Sequence, residues 1–273
     1  MIFYIDVINA CNCRCKYCYR STFRTKPSEY EEMAPELLDR ILSKASRVIP
    51  KRLSVGLYNW SEPFLHDKIG ELVGVVKKYR VRCFLSSNFS LKMQDKLTAA
   101  FENGLDDIIV SVSGFTQETH GKYHIGSNIE LVKKNLRYAA ELERQDKRHH
   151  TTVHYIEFDY NQGEKEEFQS FCEELNVDFI SKKNTFTNLH RDTGDVSVYF
   201  DKANHYGNHS CPLLTDMVSI DQRGDVYICC GIWYYPAYRI GAFLDIPFRR
   251  IQQLRTIHPR CCLCRWSLKN GSL

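Results

Sequence analysis

The chain has 273 residues and a formal net charge of +4, with 43% hydrophobic and 26% charged residues. This length suffices for one large α/β domain and a small second unit, and the composition is that of an ordinary globular protein. No apolar stretch reaches the roughly 18 residues of a membrane-spanning helix, and the basic residues alternate with acids instead of forming a nucleic-acid-binding patch. We therefore expect neither a membrane protein nor a nucleic-acid partner.

Apolar, β-branched runs alternate with helical patterns through the first two thirds of the chain, which predicts βα units and a parallel sheet. Because six such units are fewer than the eight of a closed barrel, we expect an open arrangement with functional loops at the carboxyl ends of the strands. The predicted strands are residues 2–8, 52–58, 80–86, 106–112, 151–157 and 177–181. The predicted helices lie near residues 34–48, 66–79, 91–103, 128–146 and 164–175.

Three cysteines with the spacing C-x3-C-x2-C, Cys11, Cys15 and Cys18, follow the first predicted strand, and Tyr17 precedes the last of them. Three thiolates can bind three irons of a four-iron cluster and leave the fourth iron open to a cosubstrate. Structural zinc prefers four ligands in pairs, so zinc is the weaker interpretation. The first residues carry no basic leader or cleavage site, so we expect a cytoplasmic protein in which disulfides are disfavoured.

Polar residues also follow the second, third and fourth predicted strands. Since the carboxyl ends of parallel strands meet at one edge, we expect these side chains to lie near the cysteine loop. By itself, Ser61-Glu62-Pro63 is equally typical of a helix start. The segments are Asn59-Trp60-Ser61-Glu62-Pro63, Ser86-Ser87-Asn88 and Ser111-Val112-Ser113-Gly114, the last followed by Lys122 and His124.

The cysteine loop with its Tyr17 resembles the signature of the radical S-adenosylmethionine (radical SAM) enzymes. The resemblance implies a partial (β/α)6 barrel, a four-iron cluster whose open iron binds SAM, and cleavage of SAM to a 5′-deoxyadenosyl radical that removes a substrate hydrogen. Trp60 and Ser61 replace both glycines of the family's G-G-E-P motif, and Ser113 replaces the acid of its S-I-D-G segment. The SAM-binding residues that the resemblance implies are Tyr17, Ser61, Glu62, Ser86, Asn88, Ser111, Ser113 and His124, the last as a partner of the SAM carboxylate.

A second group of cysteines marks the last third of the chain. Residues 218–221 and 225–228 flank Gln222-Arg223-Gly224, which predicts a β-hairpin. Four thiolates can bind every iron of a second cluster, although tetrahedral zinc fits the same ligands and stays an open alternative. The group consists of Cys211, Cys229, Cys261 and Cys264, with Cys230 or Cys262 as possible replacements for Cys229 or Cys261.

This arrangement resembles the shortened SPASM, or twitch, domain of some radical SAM enzymes. We therefore predict a partial barrel over residues 1–195 and a small twitch-like domain, made of a β-hairpin and a helix, over residues 196–273. The resemblance implies an oxidoreductase acting on a small or carbohydrate-like substrate, with the second cluster accepting an electron and a flavodoxin- or ferredoxin-type protein supplying electrons. A radical epimerase, in which a cysteine returns hydrogen, and a peptide-modifying enzyme are alternatives. A zinc-binding or electron-carrying module without radical chemistry is the alternative from another class.

Overall fold

The computed structural model describes residues 1–22, 25–49, 53–183, 211–232, 234–259 and 261, with the side chain of Pro212 left aside. The strands are β1 (Ile2–Ile5), β2 (Ser54–Gly56), β3 (Arg82–Ser87), β4 (Asp107–Val112), β5 (His150–Glu157), β6 (Asp178–Lys183), β7 (Met217–Ile220), β8 (Asp225–Tyr227) and β9 (Arg239–Ala242). The helices are α1 (Pro35–Val48), α2 (Ile69–Lys78), α3 (Gln94–Glu102), α4 (Gln117–Tyr123), α5 (Ile129–Gln145), α6 (Lys165–Leu175), α7 (Pro212–Thr215) and α8 (Phe248–Ile257).

The strands form one sheet in the order β6-β5-β4-β3-β2-β1-β7-β8-β9. Strands β1 to β6 are parallel, so their carboxyl ends lie at the same edge. Strand β7 pairs with β1 in parallel, with Ile2 beside Met217. Strand β8 is antiparallel to both of its neighbours, β7 and β9. The sequence-based prediction of an α/β fold with six parallel strands, a hairpin and a helix is confirmed.

Strand β7 joins the C-terminal part to the sheet directly, through a pairing that the sequence did not indicate. The predicted hairpin is present as β7 and β8, and α8 is a helix of the kind predicted beside it, whereas β9 was not predicted. The proposed boundary at residue 195 lies outside the described residues, so the division into two domains stays a prediction.

The helices follow from local sequence. Helix α1 begins with Pro35, which suits the first helical position, and its apolar residues recur at intervals of three and four. Asn128 caps α5, because its side chain accepts hydrogen bonds from the N–H groups of Glu130 and Leu131. No helix in the described part of the chain is long and apolar enough to cross a membrane.

The core continues from the parallel strands into the C-terminal part. Phe3 of β1 is fully buried, and its ring packs edge-on against Phe243 at a centroid distance of 5.5 Å. The Phe248 ring, at the start of α8, stacks 6.3 Å away on Phe3. Aromatic packing therefore fastens the C-terminal segment to the sheet beneath the site described below.

We expect Phe3→Ala to lower the free energy of unfolding by about 3–5 kcal/mol, because it leaves a cavity between β1 and the C-terminal segment. Anaerobic urea denaturation followed by far-UV circular dichroism measures this change. Ile257→Ala, at a side chain that is 63% exposed, is the control and should change stability by about 0.5 kcal/mol or less. A loss below about 1 kcal/mol for Phe3→Ala would contradict the assignment.

Candidate functional site

A cavity of about 340 Å³ lies at the carboxyl edge of the parallel strands. It brings the cysteine loop together with the loop after β2 and with polar residues at the carboxyl ends of β3 and β4. The residues predicted from the sequence that line it are Cys11, Cys15, Tyr17, Cys18, Ser61, Glu62, Ser86, Asn88, Ser111 and His124. The wall also contains Tyr19, Tyr58, Asn59, Trp60, Ser87, Tyr123, Ile156 and Cys230.

Hydrogen bonds to neighbouring loops hold the cysteine loop in place. The N–H groups of Arg14 and Lys16 donate to the carbonyl groups of Ile125 and Tyr123, at 2.7 and 3.0 Å. The Asn88 side chain donates to Asn12 at 2.8 Å and lies 3.8 Å from the Cys11 sulfur. Among the described residues, no three His, Cys, Asp or Glu side chains converge on a point where they could bind a single metal ion. An iron–sulfur cluster does not require such convergence, because each thiolate binds a different iron.

Asp6, immediately after β1, positions the loop that follows β2. Its carboxylate is only 2% exposed and accepts hydrogen bonds from the N–H groups of Asn59, Trp60 and Ser61 at 2.9–3.1 Å. The Ser61 hydroxyl also donates to it. Burial raises the pKa of Asp6, and the hydrogen bonds from Ser61 and Trp60 oppose that rise. Four donors thus satisfy a buried carboxylate and fix the backbone of the loop.

Glu62 connects this loop to the end of β3. Its carboxylate accepts from the Ser87 hydroxyl at 2.8 Å and from the N–H groups of Asn88 and Phe64 at 2.9 and 3.1 Å. Burial raises the pKa of Glu62 to about 7, although these hydrogen bonds favour the ionised form. The polar atoms of Glu62 are therefore engaged with the protein itself.

His124 lines the cavity, whereas Ser113 lies behind it. The Ser113 hydroxyl contacts His124 Nδ1 at 2.7 Å and is fully buried. The His120 ring stacks on His124 with a centroid distance of 4.6 Å. Burial lowers the pKa of His124 well below its usual value, so its ring is neutral near pH 7.

The C-terminal part closes one side of the cavity through Asn59. With the Asn59 amide placed to satisfy its neighbours, its oxygen accepts from Trp60 Nε1 at 2.9 Å and from the Ser219 and Tyr234 hydroxyls at 3.2 Å. Its nitrogen donates to the Cys230 carbonyl at 3.3 Å. These contacts explain why Cys230, far along the chain, reaches the wall of the cavity.

A buried arginine lies beside those cysteines of the second group that the structure describes. Cys211 precedes α7 and Cys229 follows β8, and Arg255 of α8 interacts electrostatically with both and with Cys230 and Cys261. The pKa of Cys229 is lowered to about 7, chiefly by a hydrogen bond from Cys230. The Gly231 N–H and the charge of Arg255 also lower this pKa, whereas burial raises it. Cys262 and Cys264, which the sequence also suggested, lie outside the described residues.

Among curated proteins, a probable GTP 3′,8-cyclase of Methanococcus maripaludis is 21% identical over 140 residues, or 51% of this chain and 45% of the relative. The tungsten-containing aldehyde ferredoxin oxidoreductase cofactor-modifying protein of Pyrococcus furiosus is 25% identical over 143 residues, or 51% of this chain and 39% of the relative. The chain thus spans less than half the length of these curated relatives.

Solved structures extend the likeness in fold to almost the whole chain. Streptococcus suis SuiB bound to its precursor peptide SuiA matches with a TM-score of 0.70 at 12% identity, covering 97% of this chain and 66% of SuiB. BtrN in complex with AdoMet and 2-DOIA matches with a TM-score of 0.57 at 16% identity, covering 99% of this chain and 87% of BtrN. At these identities the likeness concerns the fold alone, and it confirms the predicted partial barrel.

Residues 5–171 match the family model of the Radical SAM superfamily. This range includes the three-cysteine loop and the segments after β2, β3 and β4 that line the cavity. The match implies one four-iron cluster and SAM as cofactors. Because it extends over well more than half of the sequence, the chain belongs to the radical SAM superfamily.

Proposed function

We propose that this protein is a radical SAM oxidoreductase that acts on a small or carbohydrate-like substrate. The observation that carries the proposal is the single cavity in which Cys11, Cys15 and Cys18 face the polar strand ends. In our proposal these cysteines bind the four-iron cluster, and a flavodoxin- or ferredoxin-type protein reduces it. Reductive cleavage of SAM supplies a 5′-deoxyadenosyl radical, which takes a hydrogen atom from the substrate.

The SAM site is assigned to the loop after β2 and the ends of β3 and β4. Asp6 engages the three N–H groups of residues 59–61, so the carbonyl groups of this loop are suited to the ammonium group of SAM. Ser86, Asn88 and Ser111 offer hydroxyl and amide groups to its ribose and carboxylate. His124, being neutral, offers SAM a hydrogen bond and no charge.

Tyr17 and Ser61 line the same cavity and complete the proposed contacts with SAM. Glu62 and Ser113 are assigned an indirect role. The Glu62 carboxylate holds the ends of β2 and β3 together, and Ser113 orients the His124 ring from behind.

The second cluster is assigned to Cys211, Cys229, Cys261 and Cys264 in a twitch-like domain over residues 196–273. Support comes from Cys211, Cys229 and Cys261, which approach the same buried arginine from three separate segments. A cluster with four protein ligands has no open iron, so its suitable role is electron transfer. It would accept the electron that remains when the substrate radical is oxidised to product.

The wall of the cavity supports the proposed substrate class. Its described part carries five large aromatic residues, Tyr17, Tyr19, Tyr58, Trp60 and Tyr123, and no lysine or arginine. Aromatic faces with interspersed hydroxyl groups suit a neutral, hydroxyl-bearing molecule better than a phosphorylated one. This argues for a carbohydrate-like substrate over the nucleotide named for the Methanococcus relatives.

Cys230 supports a second candidate, a radical epimerase. Cys230 lines the cavity near the loop after β2, and the Cys230 sulfur contacts the Met217 sulfur at 3.6 Å. In an epimerase the Cys230 S–H bond would break and its hydrogen atom would pass to the substrate radical. The thiyl radical left behind would take up one electron from the reduced electron-donor protein and one proton from solvent.

We expect Cys15→Ala to abolish the formation of 5′-deoxyadenosine, because the cluster then lacks one of its three ligands. Chromatography of anaerobic reactions containing SAM and dithionite measures the product. Cys172→Ala is the matched control, since Cys172 is buried in α6 among core residues and should be replaceable without loss of cleavage. Normal cleavage by Cys15→Ala, or zinc in place of iron in the reconstituted wild type, would refute the radical assignment.

We expect Asp6→Asn to raise the KM for SAM about 10- to 100-fold, because it removes charged hydrogen bonds worth about 1.5–3 kcal/mol from the loop at the SAM site. Asp221→Asn is the matched control, because this buried carboxylate also accepts N–H groups, from Arg223 and Asp225, but lies in the C-terminal hairpin. Both variants should lose stability in urea. An unchanged KM for Asp6→Asn would contradict the assigned role of the loop.

Product analysis in D2O distinguishes the oxidoreductase from the epimerase. With a panel of aminocyclitols and hexoses, and after back-exchange into H2O, we expect a product two mass units lighter than its substrate and without solvent deuterium at non-exchangeable C–H positions. We also expect Cys230→Ser to retain this turnover within about threefold. An isomeric product that carries deuterium, together with loss of that product in Cys230→Ser, would replace the oxidoreductase proposal with the epimerase.

A further inference from the structure

Arg255 is a fully buried cation with neutral hydrogen-bond partners. Its exposed fraction is 0%, and its guanidinium donates to the carbonyl groups of Ile228 and Leu213 and to the Gln252 side chain at 2.8–2.9 Å. These acceptors come from the segments before Cys229 and after Cys211, and from α8 itself. The guanidinium is therefore held rigidly at the meeting point of the C-terminal cysteines.

A buried charge requires a compensating charge. In the part of the chain that the structure describes, Arg255 forms no ion pair with a carboxylate. Four cysteines, Cys211, Cys229, Cys230 and Cys261, are near enough to interact electrostatically with it. Neutral thiols would leave the buried guanidinium without a compensating charge, which is energetically unfavourable. Thiolates bound to iron carry the negative charge that this position lacks, so the arginine fits a loaded metal–thiolate centre.

Charge near an iron–sulfur cluster also affects its reduction potential. The all-thiolate cluster is a net anion, and reduction adds one more negative charge. A fixed positive charge beside it stabilises the reduced form more than the oxidised form. Burial strengthens this effect, because little water is present to screen the interaction.

We propose that Arg255 is the built-in counter-charge of the second cluster and raises its reduction potential, so that the cluster accepts an electron from the substrate radical. This inference rests on the proposed second cluster. It assigns Arg255 a positioning and electrostatic role, not contact with the substrate. A lysine should preserve the effect in large part, whereas a neutral side chain of similar size should not.

The test measures the potential of the second cluster by itself. The full chain is reconstituted anaerobically in a background in which Cys11, Cys15 and Cys18 are changed to alanine, and the remaining cluster is titrated while its reduced form is monitored by electron paramagnetic resonance. Arg255→Gln should lower the ratio of reduced to oxidised cluster at a fixed potential at least tenfold, equal to a midpoint shift of about 59 mV for one electron. Arg255→Lys should stay within about threefold of the parent.

Arg250→Gln is the matched control, because Arg250 lies on the same helix but is exposed, and it should leave the potential unchanged. Loss of the cluster in Arg255→Gln with retention in Arg255→Lys would also support the counter-charge. An unshifted potential in Arg255→Gln, or loss of the cluster in both variants, would overturn it. Absence of any iron cluster in the parent background would instead refute the proposed second cluster.

Discussion

The site depends on one interaction, the acceptance of three consecutive N–H groups by the buried Asp6 carboxylate. Asp6 follows β1, the strand that pairs with both β2 and β7. The Asp6 carboxylate can stay buried because hydrogen-bond donors satisfy it. The same hydrogen bonds restrict the backbone of residues 59–61 to one conformation. The same residue thus fixes the loop after β2 and stands five residues before Cys11, so this loop and the three-cysteine loop both begin near one buried carboxylate.

The parallel pairing of β1 with β7 explains why the C-terminal part belongs to the site. It places Ser219 and Tyr234 beside Asn59, and Cys230 at the cavity wall. Phe3, Phe243 and Phe248 pack beneath this polar contact and hold the two parts together. A change in the C-terminal segment would therefore reach the loop after β2 through these hydrogen bonds to Asn59.

The sequence predicted the parallel strands, five of the helices and most of the cavity wall, because periodicity and strand-end position are local signals. Helix α4 was not predicted, because it is short, mostly polar and contains Gly121. The sequence also did not predict that Asp6 binds the loop after β2 or that Cys230 lines the cavity. Both depend on contacts between segments more than fifty residues apart, for which spacing along the chain gives no signal. Ser113 was predicted beside Ser111 in the cavity, but the chain leaves β4 at Val112 and turns Ser113 behind His124.

Under the proposed two-cluster assignment, the two cysteine groups differ in their local charge. Near the first group, Arg20 faces Cys11 and Cys18 but also Asp6, so its positive charge is partly offset, and the buried Glu62 faces Cys15. Near the second group, Arg255 forms no ion pair with a carboxylate among the described residues, and the largest electrostatic contributions to it come from cysteines. Negative charge disfavours reduction and positive charge favours it. The first cluster would therefore be the stronger reductant, as SAM cleavage requires, and the second cluster the better electron acceptor. Electrons would then pass from the substrate radical to the cluster beside Arg255.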